Sequence, residues 1–372
     1  MTAPPLDAWN GAVAQLDGRS LITFAGCNYL GLAQHPRVLA AAADAMARYG
    51  LSTSASRETS GNTRVHETLE AALTDFCAHQ AGLLVPDGYT ANLAAMQALA
   101  CSGVRHAVID QRAHPSIKDA AAMAGLRAAL FEHHDTGHAA ACLASCDGPA
   151  VLATDSVFAA DGSLAPAADL HASLRPGDRL LLDDCHGFAV FGSRGRGMAD
   201  HAGLPRDERL VVTTTLAKGL GCGGGIVMGD GTLIATARAR STAYICTTPA
   251  SPVLAAAALE ALRLLRTDPS LHDQLRENTR MLRHALRGLG VAPDAPAPVV
   301  AFAAGTAESM RATHDAALSE GFLAPLVTYP GGPAPVYFRL SVSSAHTHAQ
   351  IDRLAAVLLD ASASTLTQEQ AR

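Results

Sequence analysis

Two stretches of this 372-residue chain hold the side chains that covalent and acid–base chemistry need. Leu180-Leu-Leu-Asp-Asp-Cys-His-Gly187 ends a leucine run on two carboxylates and an imidazole. Val211-Val-Thr-Thr-Thr-Leu-Ala-Lys-Gly-Leu-Gly221 ends a β-branched run on a lysine set before glycines. A short apolar run closing on a polar group is how a buried parallel strand delivers a side chain at its carboxyl end. An acid and a histidine at one strand end, with a lysine at another, suit a pyridoxal-phosphate site. Lys218 would form the Schiff base, a carboxylate would hold the pyridine nitrogen protonated, and His186 would contact the phenolic oxygen. Strand alternation puts Asp183 and Asp184 on opposite faces, and the following turn returns His186 to the side of Asp183. Asp183 is therefore the better partner for the ring nitrogen.

The competing readings of these residues are weaker. A metal site needs more ligands at suitable spacing, and the only other cluster, His133, His134 and His138, has no cysteine or carboxylate geometry to recommend it. The glycines from Gly219 to Gly225, with Thr213–Thr215 before them, suit a phosphate beside the lysine. They are not a nucleotide P-loop, because no Gly-Lys-Ser/Thr follows them, and no Gly-x-Ser-x-Gly elbow is present. In Asp87-Gly-Tyr-Thr-Ala-Asn92, Gly88 and Tyr89 would present amides at a helix N-terminus, an anion site, although the same residues also suit a plain strand–helix turn. His114, in Asp110-Gln-Arg-Ala-His-Pro-Ser116, could stack its imidazole on a cofactor ring; a lone histidine before proline is more often a loop residue, so this assignment leans on the other residues.

These groups need strands to carry them. Strands are expected at Ser20–Phe24, Ala81–Val85, His106–Ile109, Ala150–Val157, Arg179–Asp183, Leu210–Thr215 and Gly225–Met228, with helices between most of them. Helices are also expected from Pro36 to Gly50 and from Val65 to His79. The alternation implies an α/β fold with a mostly parallel, doubly covered sheet. Beyond Pro252 come helices over 252–266 and Pro269–Leu289, strands at Val299–Phe302 and Tyr337–Val342, and a closing helix capped by Thr347. That pattern divides the chain into an N-terminal arm (1–40), a large domain (41–255) and a small α+β domain (256–372), with a frayed tail from 363. No internal repeat is evident.

Composition narrows the function classes. Charged residues are 17% and hydrophobic ones 49%, as in an ordinary globular enzyme. A net charge of −6 leaves no basic footprint for nucleic acid. The N-terminus has neither a charged n-region nor an apolar stretch, and no apolar run reaches membrane-spanning length. Eight cysteines without a Cys-x-x-Cys pair read as reduced thiols, implying a cytoplasmic protein.

Taken together, the chain resembles the α-oxoamine synthases, the family of 8-amino-7-oxononanoate synthase, 2-amino-3-ketobutyrate CoA ligase, 5-aminolevulinate synthase and serine palmitoyltransferase. The likeness runs from Asn28-Tyr-Leu-Gly-Leu through Ser60-Gly-Asn, Gly88-Tyr-x-Ala-Asn92, His114-Pro-Ser-Ile117 and Phe131-x-His-x-Asp135. It continues through Val157-Phe-x-x-Asp-Gly162, Asp183-Asp-x-His-Gly187, Thr215-Leu-x-Lys-Gly-x-Gly221 and Arg339-Leu-Ser-x-Ser-x-Ala-His-Thr347. The resemblance implies a fold type I, aspartate-aminotransferase-like enzyme that uses pyridoxal 5′-phosphate and works as a homodimer with shared active sites. Lys218, Asp183 and His186 would take the roles above and His114 would stack on the ring. Gly88, Tyr89 and Thr215 would hold the phosphate, with Thr248 reaching in from the partner subunit. Arg339 would bind the amino-acid carboxylate, and Asn28 would contact substrate.

The implied reaction is a decarboxylative Claisen condensation of a small amino acid (glycine, alanine or serine) with an acyl-CoA or acyl-carrier-protein thioester, giving an α-amino ketone. Retro-aldol cleavage or transamination on the same fold is the alternative, and a non-catalytic, cofactor-dependent regulator is a third reading. Three departures bear on the choice. Ala159 stands where the family usually has a serine, Cys27 where it often has asparagine, and the N-terminal arm lacks the basic helix that commonly touches the acyl donor.

Overall fold

The computed structural model describes residues 5–370; Met1–Pro4 at the N-terminus and the last two residues of the tail lie outside that range. The chain divides into two compact units. The larger comprises His35–Phe158 and Leu164–Asp268; the other comprises the chain up to Gln34, Ala159–Ser163 and the chain from Pro269 onward.

Seven strands make the sheet of the larger unit, in the spatial order Ala81–Val85, Gly225–Gly229, Leu210–Thr215, Arg179–Asp183, Ala150–Asp155, His106–Asp110 and Arg127–Phe131. Gly225–Gly229 runs antiparallel to both its neighbours, and all the other pairings are parallel. Every residue of Ala150–Asp155 and of Leu210–Thr215 is buried, which is why these strands read as continuous apolar runs rather than as alternation. The helix Gly88–Cys101 lies on this sheet, with Ala91, Ala94, Ala95 and Ala98 buried at helical spacing. Such small side chains let a helix backbone come close to the strands.

Register sets the position of the chemistry. Asp183 pairs with Asp155 on one side and with Thr213 on the other, so three polar residues sit in a row at the carboxyl ends of adjacent strands. The Ala150 strand ends at Asp155 rather than at Val157, which forms only an isolated bridge to Leu164. Arg127–Phe131 is a strand absent from the pattern reading. Its Arg-Ala-Ala-Leu-Phe sequence has no β-branched residue, four of its five positions are exposed, and parallel pairing with His106–Asp110 makes it an edge strand.

The second unit joins the two ends of the chain. Ala8–Asn10, Val13–Leu16 and Arg19–Thr23 form antiparallel strands, and Phe322–Leu323 adds to the last of them in parallel. A three-stranded sheet of Val299–Phe302, Tyr337–Ser341 and Leu326–Val327 stands with the helices Ser270–Ala285, Ala307–Ser319 and His348–Gln370. The strands of the expected arm thus belong to this unit. Helix Pro252–Thr267, expected to open the small domain, belongs to the larger unit, because it packs on Pro36–Tyr49 and Arg64–Cys77. The break falls at Asp268-Pro269, where proline disfavours helix in the residue before it. The closing helix continues through the expected fraying point to Gln370, and Thr347 caps it: its hydroxyl accepts the Gln350 amide at 3.3 Å while Gln350 Oε1 accepts the Thr347 amide at 2.9 Å. No described helix is long and apolar enough to cross a membrane.

Candidate active site

Lys218 follows the strand Leu210–Thr215, and its Nζ lies 2.9 Å from Nε2 of His186, which follows the neighbouring strand Arg179–Asp183. Asp183, at that strand's end, is 3% exposed and accepts two N–H groups, from Asn92 Nδ2 at 2.7 Å and from the Cys185 backbone at 3.0 Å. Both donors are fixed N–H groups, so they set the orientation of the carboxylate. The charges of both Asp183 and Lys218 reach the His114 ring, and burial lowers that imidazole's pKa. Lys218, His186, Asp183 and His114 therefore come together in the larger unit.

Asp184 differs from its neighbour in every contact. Its Oδ1 accepts the Ser156 hydroxyl at 2.6 Å and its Oδ2 accepts the Met198 amide at 3.0 Å. A Cβ on Gly187 would come within 2.0 Å of Oδ1, and one on Gly197 within 2.1 Å of Oδ2. The carboxyl is enclosed by the 187–198 turn, and burial pushes its pKa up to about 7.

The phosphate candidates also meet. A Cβ on Gly88 would lie 3.0 Å from Thr215 Cβ and 3.1 Å from Cys185 Sγ, so the helix start packs tightly against both. Gly225 lies as close to the same turn, its hypothetical Cβ 2.1 Å from the Asp87 carbonyl. Asp87 caps the helix by accepting the Thr90 amide at 2.7 Å. As its first residues, Gly88 and Tyr89 have amides without intrahelical acceptors. The Tyr89 ring itself is 45% exposed and its hydroxyl donates to Asp119 at 2.7 Å. Thr248 is exposed on the irregular segment before Pro252, which is tied down by His66 Nε2 at 2.7 Å from the Ala250 carbonyl.

Arg339 and Asn28 belong to the other unit. Arg339 Nε donates to the Ala159 carbonyl at 2.5 Å and Nη1 to Ser341 Oγ at 3.3 Å, and its guanidinium also meets the Cys27 thiol and Tyr29. Asn28 is engaged in its own turn: Oδ1 accepts the Ala33 amide and Nδ2 donates to Gln34, both at 3.3 Å.

Pattern reading overlooked the supports. Asp155 is buried beside Asp183 and accepts the His114 amide at 2.7 Å; burial, and then the charge of Asp183, hold its pKa well above the carboxylate range. Asn92 and Ser116 connect Asp183 with His114. The available signal was an asparagine among the alanines and leucine of the buried face of the helix Gly88–Cys101. His133 has Nδ1 3.0 Å from Asp110 and stacks on His134; among the described residues no cluster of His, Cys, Asp and Glu could hold a metal.

The residues fit pyridoxal phosphate chemically. A lysine amine suits the aldehyde, an ionised carboxylate suits a protonated pyridine nitrogen, and a helix N-terminus closed by a glycine contact suits a phosphate. Comparison with known proteins agrees. The aminotransferase class I and II family model matches residues 19–358. An 8-amino-7-oxononanoate synthase of Nitrosococcus oceani is 35% identical, covering 94% of this chain and 93% of its own. A putative 8-amino-7-oxononanoate synthase of Desulforudis audaxviator is 34% identical, over 94% and 91%. A serine palmitoyltransferase of S. paucimobilis, solved with a bound PLP–myriocin aldimine, superposes with a TM-score of 0.90 at 25% identity, covering 97% of this chain and 92% of that one.

Proposed function

The chain belongs to the aminotransferase class I and II family and within it to the α-oxoamine synthases, and we propose that it condenses a small amino acid with an acyl thioester, releasing carbon dioxide and the thiol and giving an α-amino ketone. The observation that carries this reading is Lys218 Nζ at 2.9 Å from His186, beside the buried, doubly hydrogen-bonded Asp183.

Pyridoxal phosphate supplies the electron sink for charge developing at the amino acid's α-carbon. The chain's own residues hold and steer it. Asp183, oriented by its two N–H donors, would face the pyridine nitrogen and keep that nitrogen protonated. Lys218 would anchor the aldehyde and, when free, take the α-proton. His186, within reach of Lys218, would contact the phenolic oxygen and move a proton to or from an oxygen of the reacting groups. His114 would stack on the ring. The amides of Gly88 and Tyr89 with the Thr215 hydroxyl would hold the phosphate, joined by Thr248 of a second copy in a homodimer; the exposure of Thr248 supports that last assignment. Arg339 would receive the amino-acid carboxylate, a two-pronged task for which a guanidinium is suited. Asn28 would contact substrate. All eight cysteines are free thiols, which supports a reducing, cytoplasmic location.

The relatives' product name suggests the substrate pair. In 8-amino-7-oxononanoate the amine carbon and terminal methyl match decarboxylated alanine, and the rest matches a seven-carbon dicarboxylic acyl group. The test is a thiol-release screen of glycine, alanine and serine against short, long and dicarboxylic acyl-CoAs and acyl carrier proteins. Release that depends on both substrates is expected, with alanine and the dicarboxylic donor leading. Transamination or aldol cleavage without thiol release from any donor would overturn the reading.

A further inference from the structure

A buried chain of hydrogen bonds joins Asp183 to His114, and its polarity can be read bond by bond. Backbone N–H groups, which can only donate, anchor both ends. At one end the Cys185 amide donates to Asp183 Oδ1 at 3.0 Å. At the other the Ser116 amide donates to His114 Nδ1 at 3.3 Å, so Nδ1 is an acceptor and carries no proton. Asn92, fully buried, lies between the ends. Its Nδ2 is 2.7 Å from Asp183 Oδ2 and 2.8 Å from Ser116 Oγ, and its Oδ1 receives the Thr213 hydroxyl at 2.6 Å. Asp183 Oδ2 accepts and the Thr213 hydroxyl donates, which sets the amide nitrogen toward Asp183 and the amide oxygen toward Thr213. Both Asn92 N–H bonds are then in use, one to Asp183 and one to Ser116. The Ser116 oxygen, having accepted, directs its single O–H to His114 Nδ1 at 2.7 Å.

We propose that Asn92, Ser116 and Thr213 are positioning residues that hold His114 as the neutral tautomer protonated on Nε2, and that they link this tautomer to the carboxylate of Asp183. The proposal rests on the reading of Asp183 and His114 as cofactor contacts, although the tautomer is a property of the chain itself. Its consequence for the reaction is definite. The imidazole stays uncharged, so it does not compete with a protonated pyridine nitrogen for the charge of Asp183, and it offers one donor, Nε2–H. Burial disfavours the imidazolium, and Lys218 opposes it as well; Asp183 and Asp119 act the other way, while Asp155 accepts only the backbone N–H of His114.

The test uses full-length protein labelled with ¹⁵N-histidine, in the PLP-loaded and PLP-free forms, with His114→Gln to assign the ring signals. The expected spectrum shows His114 with an unprotonated Nδ1 and a protonated Nε2 at neutral pH. Ser116→Ala keeps the backbone N–H but deletes the hydroxyl, and should give a mixture of tautomers and raise the His114 pKa by about 0.5–1, the equivalent of one net hydrogen bond. Thr213→Val, a near-isosteric change, should move both readouts the same way by less, and it serves if Ser116→Ala misfolds. A protonated Nδ1 in the wild type, or Ser116→Ala spectra superimposable on it, overturns the proposal. A protein that takes up no PLP yet shows the Nε2–H tautomer would sink the functional reading and leave the hydrogen-bond assignment standing.

Discussion

Asp183 and Asp184 are consecutive, both almost fully buried, and each takes two hydrogen bonds, yet they lie in opposite kinds of surroundings. Around Asp183 the partners come from a helix and from the turn leading to His186, and Lys218 and His114 gather on that side. Around Asp184 the partners are the Ser156 hydroxyl and the Met198 amide, with Gly187 and Gly197 pressed against the oxygens. Burial alone therefore says little about what a carboxylate does. The decisive difference is whether its neighbours leave it among reactive groups or enclose it with backbone.

The largest effect should come from the reactive side. Lys218→Ala should lower turnover by several orders of magnitude, and borohydride, which should fix PLP on a peptide containing Lys218 in the wild type, should fix none in the variant. Trapping on Lys118 would place the site elsewhere. Asp183→Asn should lower turnover by roughly 10²–10⁴, the range typical of a positioned acid–base group, while the melting temperature stays close to that of the wild type. An Asp184→Asn variant with the greater catalytic loss would reverse the comparison.

On the enclosed side the expected losses are of stability. Gly197→Ala puts a side chain on a residue with φ +96° and a Cβ 2.1 Å from Asp184 Oδ2. Destabilisation of roughly 1–3 kcal/mol from overpacking, with added backbone strain, should appear in denaturant unfolding. An unchanged midpoint would mean that the turn yields freely. Asp184→Asn gives the smallest and most diagnostic effect. The folded carboxyl, at about 7, lies above its ordinary value near 3.8, so between those pH values the folded state binds the extra proton. Its contribution to stability is fully present below the unfolded pKa and is lost as pH rises to about 7. The wild-type melting temperature should thus fall across that window relative to Asp184→Asn, whose amide does not titrate. Parallel curves for the two proteins would show that Asp184 does not titrate there.

Element by element, the strands that end in Asp183 and Thr215 were legible, because a strand buried on both faces reads as an unbroken leucine-rich or β-branched run. The edge strand Arg127–Phe131 was not, since nothing buries its outer side and only pairing makes it extended. The link between the chain's two ends was equally invisible: Arg19–Thr23 and Phe322–Leu323 pair across almost the whole sequence. Residues with a chemistry of their own, such as Lys218, His186 and Asp183, stood out by type and spacing, whereas His114 did so only beside them. Asn92, Ser116 and Asp155 did not, because an amide, a hydroxyl or a second acid has no role until its partners are known.

The sequence by itself determined the class of fold and the cofactor chemistry, and it singled out Lys218 as the candidate lysine, because strand periodicity and reactive side chains are local properties. It also supported the choice of Asp183 over Asp184, since alternation along a strand is local too. The tertiary structure alone decided the rest. It set Asp155, Asp183 and Thr213 in one row, closed two glycines over Asp184, and aligned four side chains into a polarised path from Asp183 to His114. Each of these depends on strand register and on close approach between segments far apart in the chain, and hydrogen-bond direction exists only once both partners are in place.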